Sequence, residues 1–133
     1  MTNFVRLMMA GLLTLLIGTS LSQAETVNYS PGMLPKLTKT GKPVLLDFYT
    51  TWCITCRAQQ RVISKLLSNE SEFSDVIWVK IDWDQYSGSD LSKKLRIPRR
   101  SVLVMLKNGK ETSRLVAQTD TKAIRKLIQS GLN

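Results

Sequence analysis

The sequence predicts an α/β sandwich built on a mixed central sheet, and three observations lead there. Three short apolar runs, 44–49, 76–81 and 102–106, are separated by stretches with helical spacing. Such runs, apolar on nearly every residue, suit strands covered by helices on both faces. The third run leads into Lys107-Asn108-Gly109-Lys110, an Asn-Gly turn that sends the chain straight back. Crossover connections closed by one hairpin make a mixed sheet flanked by helices.

In chain order, residues 26–29 suit a short edge strand, and 33–39 a short helix around Leu34 and Leu37 that Gly41-Lys42-Pro43 ends. Residues 44–49 follow as a buried strand, polar only at Asp47 apart from the tip of Tyr49. Over 54–67 the apolar residues Ile54, Val62, Ile63, Leu66 and Leu67 are expected to face inward. Arg57, Arg61 and Lys65 then line an outer face at intervals of four. Ser89-Asp90 caps a short helix through Leu95. After the hairpin, 111–116 forms the last strand, and Thr119 or Asp120 caps a final helix that turns Ile124, Leu127 and Ile128 inward. No internal repeat, low-complexity tract or linker to a second domain interrupts this order.

The first 24 residues follow other rules. Arg6 is their only charge, 7–17 is nearly all apolar, and Ser22-Gln23-Ala24 offers small residues for a signal peptidase. We expect a signal peptide over 1–24, cleaved after Ala24, and one domain over 25–133. An uncleaved membrane anchor is the competing expectation, because the uncharged span only just reaches bilayer length. Without those 24 residues, 109 of the 133 remain, and the loss of Arg6 takes the net charge from +9 to +8. An exported basic domain rarely meets nucleic acid, so acidic partners or an anionic membrane surface are the expected use of that charge, with a merely solubilising surface as the alternative. The expected location is the periplasm.

Both cysteines lie in Trp52-Cys53-Ile54-Thr55-Cys56-Arg57, at the start of the long helix. A c-type haem site needs His where Arg57 stands, a structural zinc site needs four Cys or His ligands, and a Cys-His hydrolase needs a histidine that the chain lacks. No metal and no cofactor is expected. A purely structural bridge would close a loop of about four residues, worth roughly 2 kcal/mol against about 3 kcal/mol for a 15-residue loop. Redox chemistry fits better. Helix-terminal N–H groups favour a thiolate at Cys53, the expected nucleophile, and Cys56 is the expected resolving thiol that closes the Cys53–Cys56 disulfide.

At these residues the sequence resembles the thioredoxin superfamily: Asp47 stands six residues before Cys53, Trp52 precedes the pair, and Lys107-Asn108-Gly109 matches the closing hairpin. The resemblance implies a three-layer thioredoxin-like sandwich. Within the superfamily, the run Gly41-Lys42-Pro43-Val44-Leu45-Leu46-Asp47 leading to Tyr49, Trp52 and the pair is most similar to the C-terminal periplasmic domain of the disulfide reductase DsbD. That likeness implies a reductant of exported protein disulfides, supplied with electrons by a membrane or soluble thiol donor. A disulfide oxidase or isomerase, or a non-catalytic binding module of the same fold, stays open at this point. By register, the resemblance also makes Asp47 the proton acceptor for the inner cysteine, with Lys80 modulating it and Trp52 a substrate platform.

One position departs from the family pattern. Counting back from Asn108-Gly109 puts Ser101 where thioredoxins carry a cis-proline beside the bound substrate, while the nearest proline, Pro98, lies three residues earlier. We expect Ser101 in that place with a trans bond after Arg100, and Arg99 and Arg100 bordering the active face, so that Arg100 and Ser101 join Trp52 in substrate binding.

Overall fold

The computed structural model describes residues 22–133, so the expected signal peptide and its apolar run lie outside the described residues except for Ser22, Gln23 and Ala24. Strand β1 (Glu25–Asn28) and helix α1 (Met33–Thr38) precede the central strand β2 (Val44–Tyr49) and the long helix α2 (Ile54–Asn69). A short 3-10 turn (Ser71–Phe73) leads to β3 (Ile77–Asp82), the brief helices α3 (Trp83–Tyr86) and α4 (Asp90–Lys94), the hairpin β4 (Val102–Lys107) and β5 (Lys110–Val116), and α5 (Thr121–Gln129). The sheet order is β1-β3-β2-β4-β5. Strands β1, β3 and β2 run parallel, and β4 and β5 antiparallel, so the mixed sheet expected from the sequence is the observed one.

Alternation along β2 divides the core into two layers. Leu45 packs with Ile63 and Leu66 of α2, Leu103 and Met105 of β4, and Ile124, Leu127 and Ile128 of α5. Leu46 and Phe48 point the other way, into Val79, Ile81, Val102 and Val104, where Leu34, Leu37, Leu91 and Leu95 close the layer. The result is a three-layer sandwich whose central strands are buried on both sides. At the hairpin tip Asn108 and Gly109 have φ of 51° and 75°, the left-handed pair that a two-residue loop requires.

One local expectation fails, one open choice is decided and one element is new. Ile54 is 74% exposed, because the first residue of α2 projects beyond the sheet edge; the buried face is Cys56, Gln59, Ile63 and Leu66, with Val62 and Leu67 at its margin. The cap of α5 is Asp120, whose Oδ2 accepts the Ala123 N–H at 2.9 Å. Helix α3 was not anticipated: Asp82 closes β3 and at once caps the next turn by accepting the Asp84 N–H at 3.0 Å.

Candidate active site

The end of β2 delivers the chain to the sheet edge, where Thr50, Thr51 and Trp52 turn it into α2. Cys53 is the N-cap of α2, with extended backbone (φ −89°, ψ 113°), and its Sγ accepts the Cys56 N–H at 3.1 Å. A sulfur in the cap position thus takes the role usually filled by a Ser or Asp oxygen, and the first-turn amide and the helix dipole both favour negative charge on it. Cys56 lies one turn in, fully buried, while Cys53 keeps 5% of its surface open. The two are joined in a disulfide.

Ser101 packs against this pair from the opposite side. Its Oγ is 3.2 Å from Cys53 Sγ and 3.1 Å from Cys56 Sγ, and the residue is fully buried. Pro98 lies exposed in the preceding loop, so Ser101 is the residue facing the cysteines. Among the described residues no peptide bond is cis; Ser101 instead has φ of 63°, in the left-handed region. Its N–H donates to Phe48 O at 2.7 Å, and its carbonyl accepts Ala117 N–H at 2.8 Å and Gln59 Nε2 at 3.2 Å. With both backbone groups engaged inside the fold, the hydroxyl is what Ser101 has left to offer.

Asp47 is completely buried on the α2 side of β2. Gln60 Nε2 and Trp78 Nε1 both donate to its Oδ2, at 2.9 and 3.2 Å, while Oδ1 has no partner. Burial pushes its carboxyl up to about 6; the bonds from Gln60 and Trp78 and the charge of Lys80 offset only part of that rise. Gln60 stands one turn beyond Cys56 on α2, so the carboxyl lies beneath the first turns of that helix, on the side of the inner cysteine. Lys80 pairs with Asp47 in the strand register. Its ammonium does not bridge to the carboxylate; Nζ rests over the Tyr49 ring at 4.8 Å and the Trp78 ring at 5.7 Å. Lys80 therefore acts on Asp47 through charge at a distance.

Trp52 is 57% exposed beside Cys53. Its Nε1 donates to Asp84 Oδ2 at 2.9 Å, and the Arg100 guanidinium stacks over its ring at 4.2 Å. The structure thus gathers Trp52, Cys53, Cys56, Arg100 and Ser101 at one end of the sheet, with Asp47 and Lys80 behind the pair. Sequence reasoning missed Gln59, Gln60, Trp78 and Asp84. Trp78 carried a signal, since a buried indole N–H needs an acceptor and Asp47 was the polar residue in the neighbouring strand.

A redox-active dithiol at a helix start, on a five-stranded mixed sheet between two layers of helices, defines a protein of the thioredoxin-fold class. Comparison with known proteins agrees: the thioredoxin family model matches residues 33–130. Thioredoxin of Coprinus comatus is 31% identical over 97 residues, 73% of this chain and 88% of that protein. Thioredoxin of Echinococcus granulosus is 34% identical over 69% of this chain and 80% of its own length. Among solved structures, Trxlp from Edwardsiella tarda EIB202 superposes with a TM-score of 0.70 at 26% identity, covering 77% of this chain and 98% of that one. The chain belongs to the thioredoxin family. Like its thioredoxin homologues, it is a thiol–disulfide oxidoreductase, and it carries the CxxC pair Cys53 and Cys56 as a disulfide.

Proposed function

We propose that this protein is exported and reduces disulfides of envelope proteins, the reading to which the sequence resemblance of residues 41–56 to the C-terminal periplasmic domain of DsbD leads. The observation that carries the chemistry is the cap geometry: Cys53 Sγ receives the Cys56 N–H at the mouth of α2 and is the sulfur with surface open to a substrate. As thiolate, Cys53 attacks a substrate disulfide; a new S–S bond forms to one substrate sulfur and the other leaves as thiolate. Cys56 then attacks Cys53, closes the intramolecular disulfide seen here and releases the second substrate thiolate. Cys56 must lose its proton to do so, and Asp47, with its carboxyl raised to about 6 on that side of the helix, is the acceptor. Trp52, with Arg100 stacked on it, offers the apolar platform beside the open sulfur, and the surrounding arginines suit acidic segments.

The reducing direction rests on Ile54-Thr55 between the thiols, which brings neither charge nor imidazole to hold a thiolate. Export rests on the apolar run 7–17 and the Ser22-Gln23-Ala24 triplet. In single-turnover exchange with a model protein disulfide, the dithiol form should reduce it, Cys53→Ser should be inert, and Cys56→Ser should accumulate the mixed disulfide. A midpoint potential near −120 mV rather than near −270 mV, the oxidising and reducing ends of the superfamily, overturns the direction. Recovery of the full-length chain, Met1 included, from the cytoplasmic fraction overturns export.

A further inference from the structure

We propose that the Ser101 hydroxyl holds the Cys53 thiolate in the reduced protein, donating its hydrogen to that sulfur while it accepts the Cys56 S–H, and so sets the redox equilibrium of the pair. This rests on thiol–disulfide exchange through Cys53 and Cys56, but not on the direction in which electrons flow.

The geometry is specific. Among the described residues, the hydrogen-bond partners of Ser101 Oγ are the two sulfurs, at 3.2 and 3.1 Å, and Ser101 is the one residue whose side chain bonds to either of them. A hydroxyl has one hydrogen to give and lone pairs to receive. Between a thiolate and a thiol that inventory is used fully, as Cys56 S–H to Oγ and O–H to Cys53 S⁻. In the disulfide, both sulfurs are weak acceptors and the same hydrogen contributes little. The bond becomes charge-assisted only on reduction. Ser101 therefore stabilises the reduced form over the oxidised one.

The fold goes to some length to put the oxygen there. A residue with a Cβ is held at φ 63°, a conformation that persists only where the surroundings over-determine it. Three hydrogen bonds do so: to Phe48 O, from Ala117 N–H and from the buried Gln59 side chain. The other ionisable and charged groups on elements packed around the pair include Asp47 and Tyr49 on β2, Lys80 and Asp82 on β3, Arg57, Arg61 and Lys65 on α2, Asp84 and Tyr86 on α3, and Arg99 and Arg100 before β4. None of these side chains is hydrogen-bonded to either sulfur, so all act on the thiolate at longer range.

The test uses two variants with opposite backbone consequences. Ser101→Ala removes the hydroxyl and keeps the unfavourable φ; Ser101→Gly removes it and relieves the backbone. In both, the Cys53 thiolate pKa, read from the pH dependence of alkylation, should rise by about one unit. The equilibrium with glutathione should shift towards the protein disulfide by about tenfold or more, ~30 mV or more for a two-electron couple. The two variants should agree in these readouts while differing in unfolding free energy. An unchanged thiolate pKa and glutathione equilibrium in Ser101→Gly, or shifts in the pair that follow stability instead of the hydroxyl, would overturn the proposal. A wild-type protein that fails to reduce protein disulfides would sink the reductase reading and leave this comparison standing.

Discussion

Replacing Asp47 by Asn tests the buried carboxyl at the centre of the site. In the folded protein its pKa is about 6, against 3.8 for a free side chain, and burial is the main cause. A carboxyl whose folded pKa is raised holds its proton more tightly folded than unfolded. Its stabilising contribution is complete below pH 3.8, and it is lost as pH rises through about 6. Roughly two units at 1.36 kcal/mol each give about 3 kcal/mol between those limits. Asparagine cannot titrate, and its oxygen can still accept Gln60 and Trp78. Its amide would occupy the place of Oδ1, which has no partner, at a cost of about 1–3 kcal/mol. The absolute gain at pH 7 is therefore small, but the pH dependence is not. Urea unfolding of the oxidised protein at pH 4, 5.5 and 7 should show Asp47→Asn gaining about 2 kcal/mol on wild type from the lowest pH to the highest, most of that full interval. Every other titrating group cancels in that difference. A difference flat with pH refutes the reasoning, because it would mean that Asp47 titrates as though exposed.

The same site and the core behind it yield two further expectations. Trp78→Phe removes a donor to Asp47 Oδ2 that favours the charged form, so the titration of Asp47 in the oxidised protein, followed by NMR, should move above about 6, with a stability loss of about 1–2 kcal/mol. Ile63→Ala empties a fully buried position between α2 and the sheet; denaturant melts should show a loss of about 2–5 kcal/mol, while the Cys53 thiolate pKa, set at the helix mouth nearly three turns away, stays put.

The framework was legible because its strands are buried on both faces. Apolar runs such as 44–49 admit few other readings, and an Asn-Gly pair between two of them specifies a two-residue turn. The cysteines declared their place too: a pair one turn apart behind a strand stands at a helix start. Legibility failed where a residue's role depends on a partner far along the chain. Helical spacing assigned Ile54 to the inner face of α2, yet a helix that begins beyond the sheet edge has nothing to pack its first residue against, and Gln59 is buried instead to reach the Ser101 and Gln118 carbonyls. Register placed Ser101 opposite the pair, but serine carries no signal for a positive φ, and nothing local says that its hydroxyl meets two sulfurs.

Ser101 bears directly on the direction of electron flow. A group that stabilises the reduced form makes a dithiol less reducing, which runs against a reductase. Magnitude decides between them. A hydrogen bond to a charged group contributes about 1.5–3 kcal/mol, or roughly 30–65 mV, whereas the reducing and oxidising ends of the superfamily differ by about 150 mV, near 7 kcal/mol. One hydroxyl therefore covers less than half of that interval. To reach the oxidising end, the protein would need a second strong donor at Cys53, and the dipeptide Ile54-Thr55 supplies neither a charge nor an imidazole, while neither Arg57 nor Arg100 makes a hydrogen bond to the sulfur. If the proposed reducing direction holds, the midpoint potential of the couple should therefore fall above that of the most reducing thioredoxins and well short of the oxidising end; a value near −120 mV, about that of the strongest oxidant of the superfamily, refutes both this balance and the direction.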